Sequence, residues 1–149
     1  MIGLFAAAGL TLGAIVVSPQ QPLEHRTQIE HASGAIDAEY RGIVTLDARQ
    51  IGHPAPGGRA ATLRCEWNAD MAVEREARHA NGSLLSRSID GSKALTLTRA
   101  GWCNAHRSDV AQHFAERSDE LRSRLVATAE ADRAVLIAQV ERQLAMAGE

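Results

Sequence analysis

Four residues in the last third of the chain could do chemistry together. His106, Asp109, His113 and Glu116 follow one another at spacings of three, four and three. On a helix that pattern puts two imidazoles and two carboxylates on one stripe. Such donors suit a first-row metal such as zinc or copper. A stripe on one helix spreads its ligands over more than about 10 Å at the helical rise. A complete site therefore needs a further ligand from elsewhere, with His25, His31 and His79 as candidates. The competing reading is a solvated helix flank, which the same residues satisfy without a metal. No cofactor is called for by anything else in the chain.

The two cysteines, Cys65 and Cys103, offer a second chemistry. An even number without a C-x-x-C points to one disulfide, not to a redox motif or a zinc knuckle. The bond would be worth about 4 kcal/mol in the chain-entropy treatment. A nucleophilic Cys103 beside His106 is the weaker alternative. Nucleophile and phosphate motifs are absent: there is no G-x-S-x-G, no G-x-x-x-x-G-K-[ST] and no G-x-G-x-x-G. Ser86 and Ser88 read as residues of a plain strand. Asn81-Gly82-Ser83 matches a glycosylation acceptor but coincides with a turn. An enzyme is therefore the less favoured class.

The elements that would hold these groups are legible from periodicity. Over residues 34–78 two runs of strict alternation flank His53-Pro54-Ala55-Pro56-Gly57-Gly58. Ile36, Ala38, Tyr40, Gly42, Val44, Leu46 and Ala48 form one apolar row. Leu63, Cys65, Trp67, Ala69, Met71 and Val73 form the other. A period of two predicts strands with one buried face, and the Pro/Gly loop makes them a hairpin. Charge pairing selects a register with Asp47 opposite Arg64 and Arg41 opposite Asp70. The inner pairs are then Leu46 with Cys65, Val44 with Trp67 and Tyr40 with Met71. A preceding strand at 23–31 places Arg26 opposite Glu39, Glu24 opposite Arg41, and His25 beside Tyr40. Asn81-Gly82 and Asp90-Gly91 read as two tight turns. They bound short strands at 84–89 and 93–98.

From Asn104 the period becomes helical, with Asn104 or Ser108 as cap. Val110, Phe114, Leu121, Leu125, Leu136 and Val140 make the apolar stripe, and Gly148 is the stop. Phe114, Leu125 and Leu136 are eleven apart, a spacing that tracks a nearly straight helix. Near the C-terminus the stripe drifts toward Val126, Ile137 and Leu144. The fold class is therefore α+β: an antiparallel meander of about five strands (about 23–98) packed against one long C-terminal helix (about 104–147).

Residues 2–17, IGLFAAAGLTLGAIVV, carry no charge and resemble the apolar region of a secretory signal. The expected organisation is a signal or N-terminal anchor over 1–19 and a single domain over 20–149. The expected location is periplasmic or secreted, with membrane contact only through 2–17 if that segment is retained. Net charge is −2, from 16 basic and 18 acidic residues, which argues against a nucleic-acid partner. The leading expectation is a small exported, non-catalytic protein-interaction or envelope-associated module. It would meet a protein partner or a second copy through Val126, Ile137 and Leu144 on the helix, with Trp102 as a further contact. The alternatives are a metal-binding protein using the helix stripe, and a hydrolase with an unrecognised site.

Overall fold

The computed structural model describes residues 22–57 and 61–148, together with the backbone of Ile15–Val16. The rest of the expected signal segment, and the end of the Pro/Gly loop, lie outside the described residues. Ile15–Val16 forms a two-residue strand, β1. The four long strands are β2 (Leu23–Ile29), β3 (Ile36–Ile51), β4 (Arg64–His79) and β5 (Leu84–Ala100). All neighbours are antiparallel, in the order β2-β3-β4-β5, and β1 pairs with β3 beyond the end of β2. A 3-10 turn, Cys103–His106, leads into α1 (Arg107–Glu116) and α2 (Ser118–Ala147). The α+β class and the helix-over-meander arrangement are as the periodicity predicts.

The alternation does what it should. Ile36, Ala38, Tyr40, Val44 and Leu46 are buried on β3, and Cys65, Trp67, Ala69, Met71 and Val73 on β4. The helices meet them with Val110, Phe114, Leu121, Leu125, Leu136 and Val140, all buried. Helix α2 lies across this face with Asp132 at its middle, and at its C-terminal end Glu141 reaches His31 beyond β2.

The register of the first hairpin agrees with the charge argument: Arg26 opposes Glu39, Glu24 opposes Arg41, and His25 opposes Tyr40. The central hairpin does not. Asp47 opposes Asn68, Arg41 opposes Glu74, Leu46 opposes Ala69, Val44 opposes Met71 and Tyr40 opposes Arg75. The pairing is four residues from the expected one. It sets opposite charges at Arg49 and Glu66, Arg41 and Glu74, and Asp37 and Arg78. It also continues the inner row through Arg75, Ala77 and His79, all buried.

Four further expectations are corrected. Asp90-Gly91 is not a turn: residues 84–100 are one strand, with register shifts against β4 at Ala69/Asp70 and Met71/Val73. A bulge lets the strand bend without ending. The Asn81-Gly82 turn forms, but only Gly82 has a positive φ, at 90°. Asn81 instead accepts the Ser83 N–H on its side-chain oxygen at 2.9 Å. Finally, the helix is broken. Arg117 leaves helical geometry at φ −99° and ψ 22°, and its N–H bonds back to the Phe114 carbonyl at 3.2 Å. Asp119 and Glu120 occupy the first turn of α2, where carboxylates suit the helix N-terminus. Neither Asn104 nor Ser108 makes a side-chain cap.

Candidate functional site

The helix stripe is not assembled into a site. Among the described residues, no three or more His, Cys, Asp and Glu side chains come together in a metal-holding group. His106 Nε2 bonds the Ala100 carbonyl at 2.9 Å, tying the 3-10 turn to the end of β5. Asp109 pairs with Arg99 at 3.7 Å, and Glu116 accepts from Gln112 at 3.1 Å. His113 sits edge-on to Phe114, with ring centroids 5.8 Å apart. His106, Asp109 and Glu116 thus each have their own polar partner, whereas the buried His113 Nε2 has none among the described residues. His25 lies beside Tyr40, with ring centroids 6.3 Å apart.

Cys65 and Cys103 form the disulfide, closing a 38-residue separation with Cα atoms 4.9 Å apart. It joins the buried start of β4 to the turn before α1. The same corner is bonded from several sides. Gln50 donates to the carbonyls of Arg64 and Gly101 and accepts the Cys103 N–H at 3.0 Å. Gly101 N–H bonds Leu63 O at 3.0 Å. Between these fixed points stands Trp102, 57% exposed. Of the other residues expected at an interface, Ile137 and Leu144 pack partly buried against the chain's own core. Val126 is half-buried.

Two polar clusters escaped the sequence analysis. The first is buried between sheet and helix. Asp132 on α2 accepts from Arg75 Nη1 at 2.8 Å and from the Tyr40 hydroxyl at 3.1 Å on one oxygen. Its other oxygen accepts from Arg87 on β5. Arg75 also donates to Gln139. Burial, then the Asp132 charge and its hydrogen bond, push the Tyr40 hydroxyl up to about 12. This constellation clamps α2 to three strands. A signal for it was present: Arg75 and Asp132 each hold an inward position that their element otherwise fills with apolar side chains.

The second cluster lies at the far end of the sheet from Trp102, where the turn after β2 meets the turn after β4. His31 Nδ1 is 2.6 Å from Ser33 Oγ, and Ser33 Oγ is 3.0 Å from His79 Nε2. Glu141 on α2 stands 3.6 Å from His31 Nε2. His79 is buried, whereas Ser33 is exposed. Sequence spacing could not show this, because the residues come from three separate elements.

The outer face of the sheet carries the rows of charge. Two adjoining shallow concavities there have volumes of about 460 and 650 Å³. Glu39 and Glu76 line both. Arg41, Glu74, Ser86 and Ser88 line the first, and Arg26, Asp37 and Arg78 the second. Arg26 and Arg41 flank Glu39 at 3.5 and 3.6 Å, which offsets its position opposite Glu76. Among the described residues no helix is long and apolar enough to cross a membrane. No protein-family model, no curated protein and no solved structure matches the chain.

Proposed function

We propose that the protein is a small exported module that acts by contacting another protein, with Trp102 as the anchor. The observation that carries this reading is the rigid presentation of an exposed indole. Trp102 is 57% exposed, yet its neighbours Gly101 and Cys103 are held by backbone bonds, by Gln50 and by the disulfide. Exposed tryptophans are enriched among the residues that dominate binding energy. A fixed backbone lowers the ordering cost that association otherwise incurs. The pairing of the chain's only two cysteines supports the export part of the reading, since such bonds persist in oxidising compartments. The working surface is placed at this corner and not on the C-terminal half of α2, because Ile137 and Leu144 are already engaged with the core.

Site-specific photo-crosslinking from position 102 in the native host tests this. The same probe at Gln112, exposed on α1, is the control. The reading expects a discrete protein adduct from position 102 and none from position 112, with the protein in an exported fraction. A homodimer adduct would make the partner a second copy. Identical adduct patterns from both positions, or a cytosolic protein with reduced cysteines, overturns it.

A further inference from the structure

We infer that Ser33 is a nucleophilic hydroxyl, activated by His31 as general base, with Glu141 positioning His31 and His79 donating to the serine oxygen. The inference is independent of the Trp102 reading, since the two places lie at opposite ends of the sheet.

Two backbone N–H contacts assign the tautomers. The Ser33 N–H points at His31 Nδ1 at 3.2 Å, so Nδ1 is the unprotonated nitrogen, its lone pair shared between that N–H and the Ser33 hydroxyl. The imidazole proton is then on Nε2, which faces the Glu141 carboxylate at 3.6 Å. With Nδ1 unprotonated, the 2.6 Å contact to Ser33 Oγ is a hydroxyl donating to the ring. At the other ring, the Asn81 N–H donates to His79 Nδ1 at 3.4 Å. The His79 proton is therefore on Nε2, and the 3.0 Å contact is His79 donating to Ser33 Oγ. The result is a directed chain: His79 N–H to Ser33 O–H to His31 Nδ1, and His31 Nε2–H toward Glu141. Carboxylate, imidazole and hydroxyl stand in the order that makes a serine nucleophilic. The same tautomers disfavour a metal between the rings, because the nitrogen of His79 that faces Ser33 holds a proton.

The fold builds this arrangement deliberately close. Gly34, at φ 124°, lets the β2–β3 turn approach the β4–β5 turn: a Cβ there would lie 2.7 Å from the Ala80 Cβ. His79 is fixed by burial, while Ser33 faces solvent. A substrate therefore approaches from solvent, and Ser33 lines neither concavity of the sheet. The substrate class proposed is a small ester with a good leaving group, reactive enough to need only the activated hydroxyl. In the step, Ser33 Oγ bonds to the acyl carbon and its proton moves to His31 Nδ1. The carbon–oxygen bond to the leaving alcohol breaks, and that alcohol takes the proton from His31. Water then enters by the reverse sequence, releasing the acid and restoring Ser33.

The test is covalent labelling of the purified full-length protein with a fluorophosphonate probe, read by intact mass and peptide mapping. One adduct per chain, mapped to Ser33, is expected. His31→Gln should slow labelling by about 100-fold, the scale of a lost general base. Glu141→Gln should slow it several-fold, and Glu141→Asp should restore most of the rate. Ser83→Ala, in the neighbouring turn, should label like the parent. If Ser33→Ala does not fold, peptide mapping of the unaltered protein still locates the adduct. An unlabelled Ser33 peptide, or labelling no faster than at Ser83, overturns the proposal.

Discussion

The carboxylate of Asp132 on α2 lies 2.8 Å from Nη1 of Arg75 on β4, across 57 residues of sequence, with both side chains shielded from solvent. Breaking such a pair is costly because the surviving charge stays buried. Asp132→Ala should destabilise the fold by about 3–5 kcal/mol. The pair itself is not the reason the fold is stable. Replacing both partners at once, Arg75→Met with Asp132→Leu, should recover part of that loss: Arg87, partly exposed, can turn to solvent, while the Tyr40 hydroxyl and Gln139 lose their partners, at about 1–3 kcal/mol for the buried hydroxyl. Urea unfolding of the two single variants and the double variant checks this. Additive losses would show that the two side chains do not act as a unit.

The same pair explains what the sequence concealed. The apolar row of β4 is plain as far as Val73, and the polar Arg75 interrupts it. It is in fact an inner-face residue, and the row runs on through Ala77 to His79. Asp47 with Arg64 and Arg41 with Asp70 alone select the expected register, and the fold pairs the strands four residues away, with Arg41 opposite Glu74 and Asp37 opposite Arg78. The first hairpin has no buried charge to mislead the count, and Arg26 against Glu39 was enough to place it. On α2, Asp132 interrupts a stripe that is otherwise Leu125, Ala129, Leu136 and Val140. Two opposite charges in inward positions of different elements are the trace such a pair leaves in a sequence. The Ser33 cluster leaves no comparable trace, since it is made by two turns and a helix that only the closed fold brings together.

Tyr40 makes the buried cluster measurable by light. It is the only tyrosine in the chain. Its hydroxyl is pushed up to about 12, first by burial and then by the Asp132 charge. The folded state holds this proton more tightly than the unfolded state, whose tyrosine ionises near pH 10. The stabilisation is therefore complete below about pH 10 and is lost as pH rises toward 12. Phenolate absorbance should appear near pH 10 in denaturant but close to pH 12 in the folded protein. It should rise together with unfolding. An ordinary titration in the folded state would contradict the burial of Tyr40 against Asp132.

The disulfide should contribute a large share of the domain's stability. Closing a 38-residue separation is worth about 4 kcal/mol in the chain-entropy treatment. Cys65→Ala with Cys103→Ala leaves two small side chains near the core and should lower stability by about 2–5 kcal/mol. It should also loosen the corner that carries Trp102. Trp67 is buried, so in a Trp67→Phe background the emission reports Trp102 alone. Its fluorescence anisotropy should fall when the bond is absent. An unchanged anisotropy would mean that Gln50 and the backbone bonds hold the corner without it.

Gly91 separates a strand crossing from a turn. A Cβ at this position would stand 2.9 Å from the carbonyl carbon and oxygen of Met71 and 3.0 Å from the Ala72 nitrogen. These are backbone atoms of β4 and cannot swing aside. Gly91→Ala should force the two strands apart where the register shifts, at about 1–3 kcal/mol. Gly82, in the β4–β5 turn, makes the contrast: its φ of 90° is unfavourable for alanine, but a Cβ there meets nothing within 4 Å. Gly82→Ala should therefore cost only about 1–2 kcal/mol, from backbone strain alone. Amide hydrogen exchange distinguishes the two mechanisms. Gly91→Ala should speed exchange in the middle of β4 and β5, whereas Gly82→Ala should affect the residues around the turn. Undisturbed protection at Met71 and Ala72 in Gly91→Ala would show that the backbones are not in the close approach that makes β5 one strand.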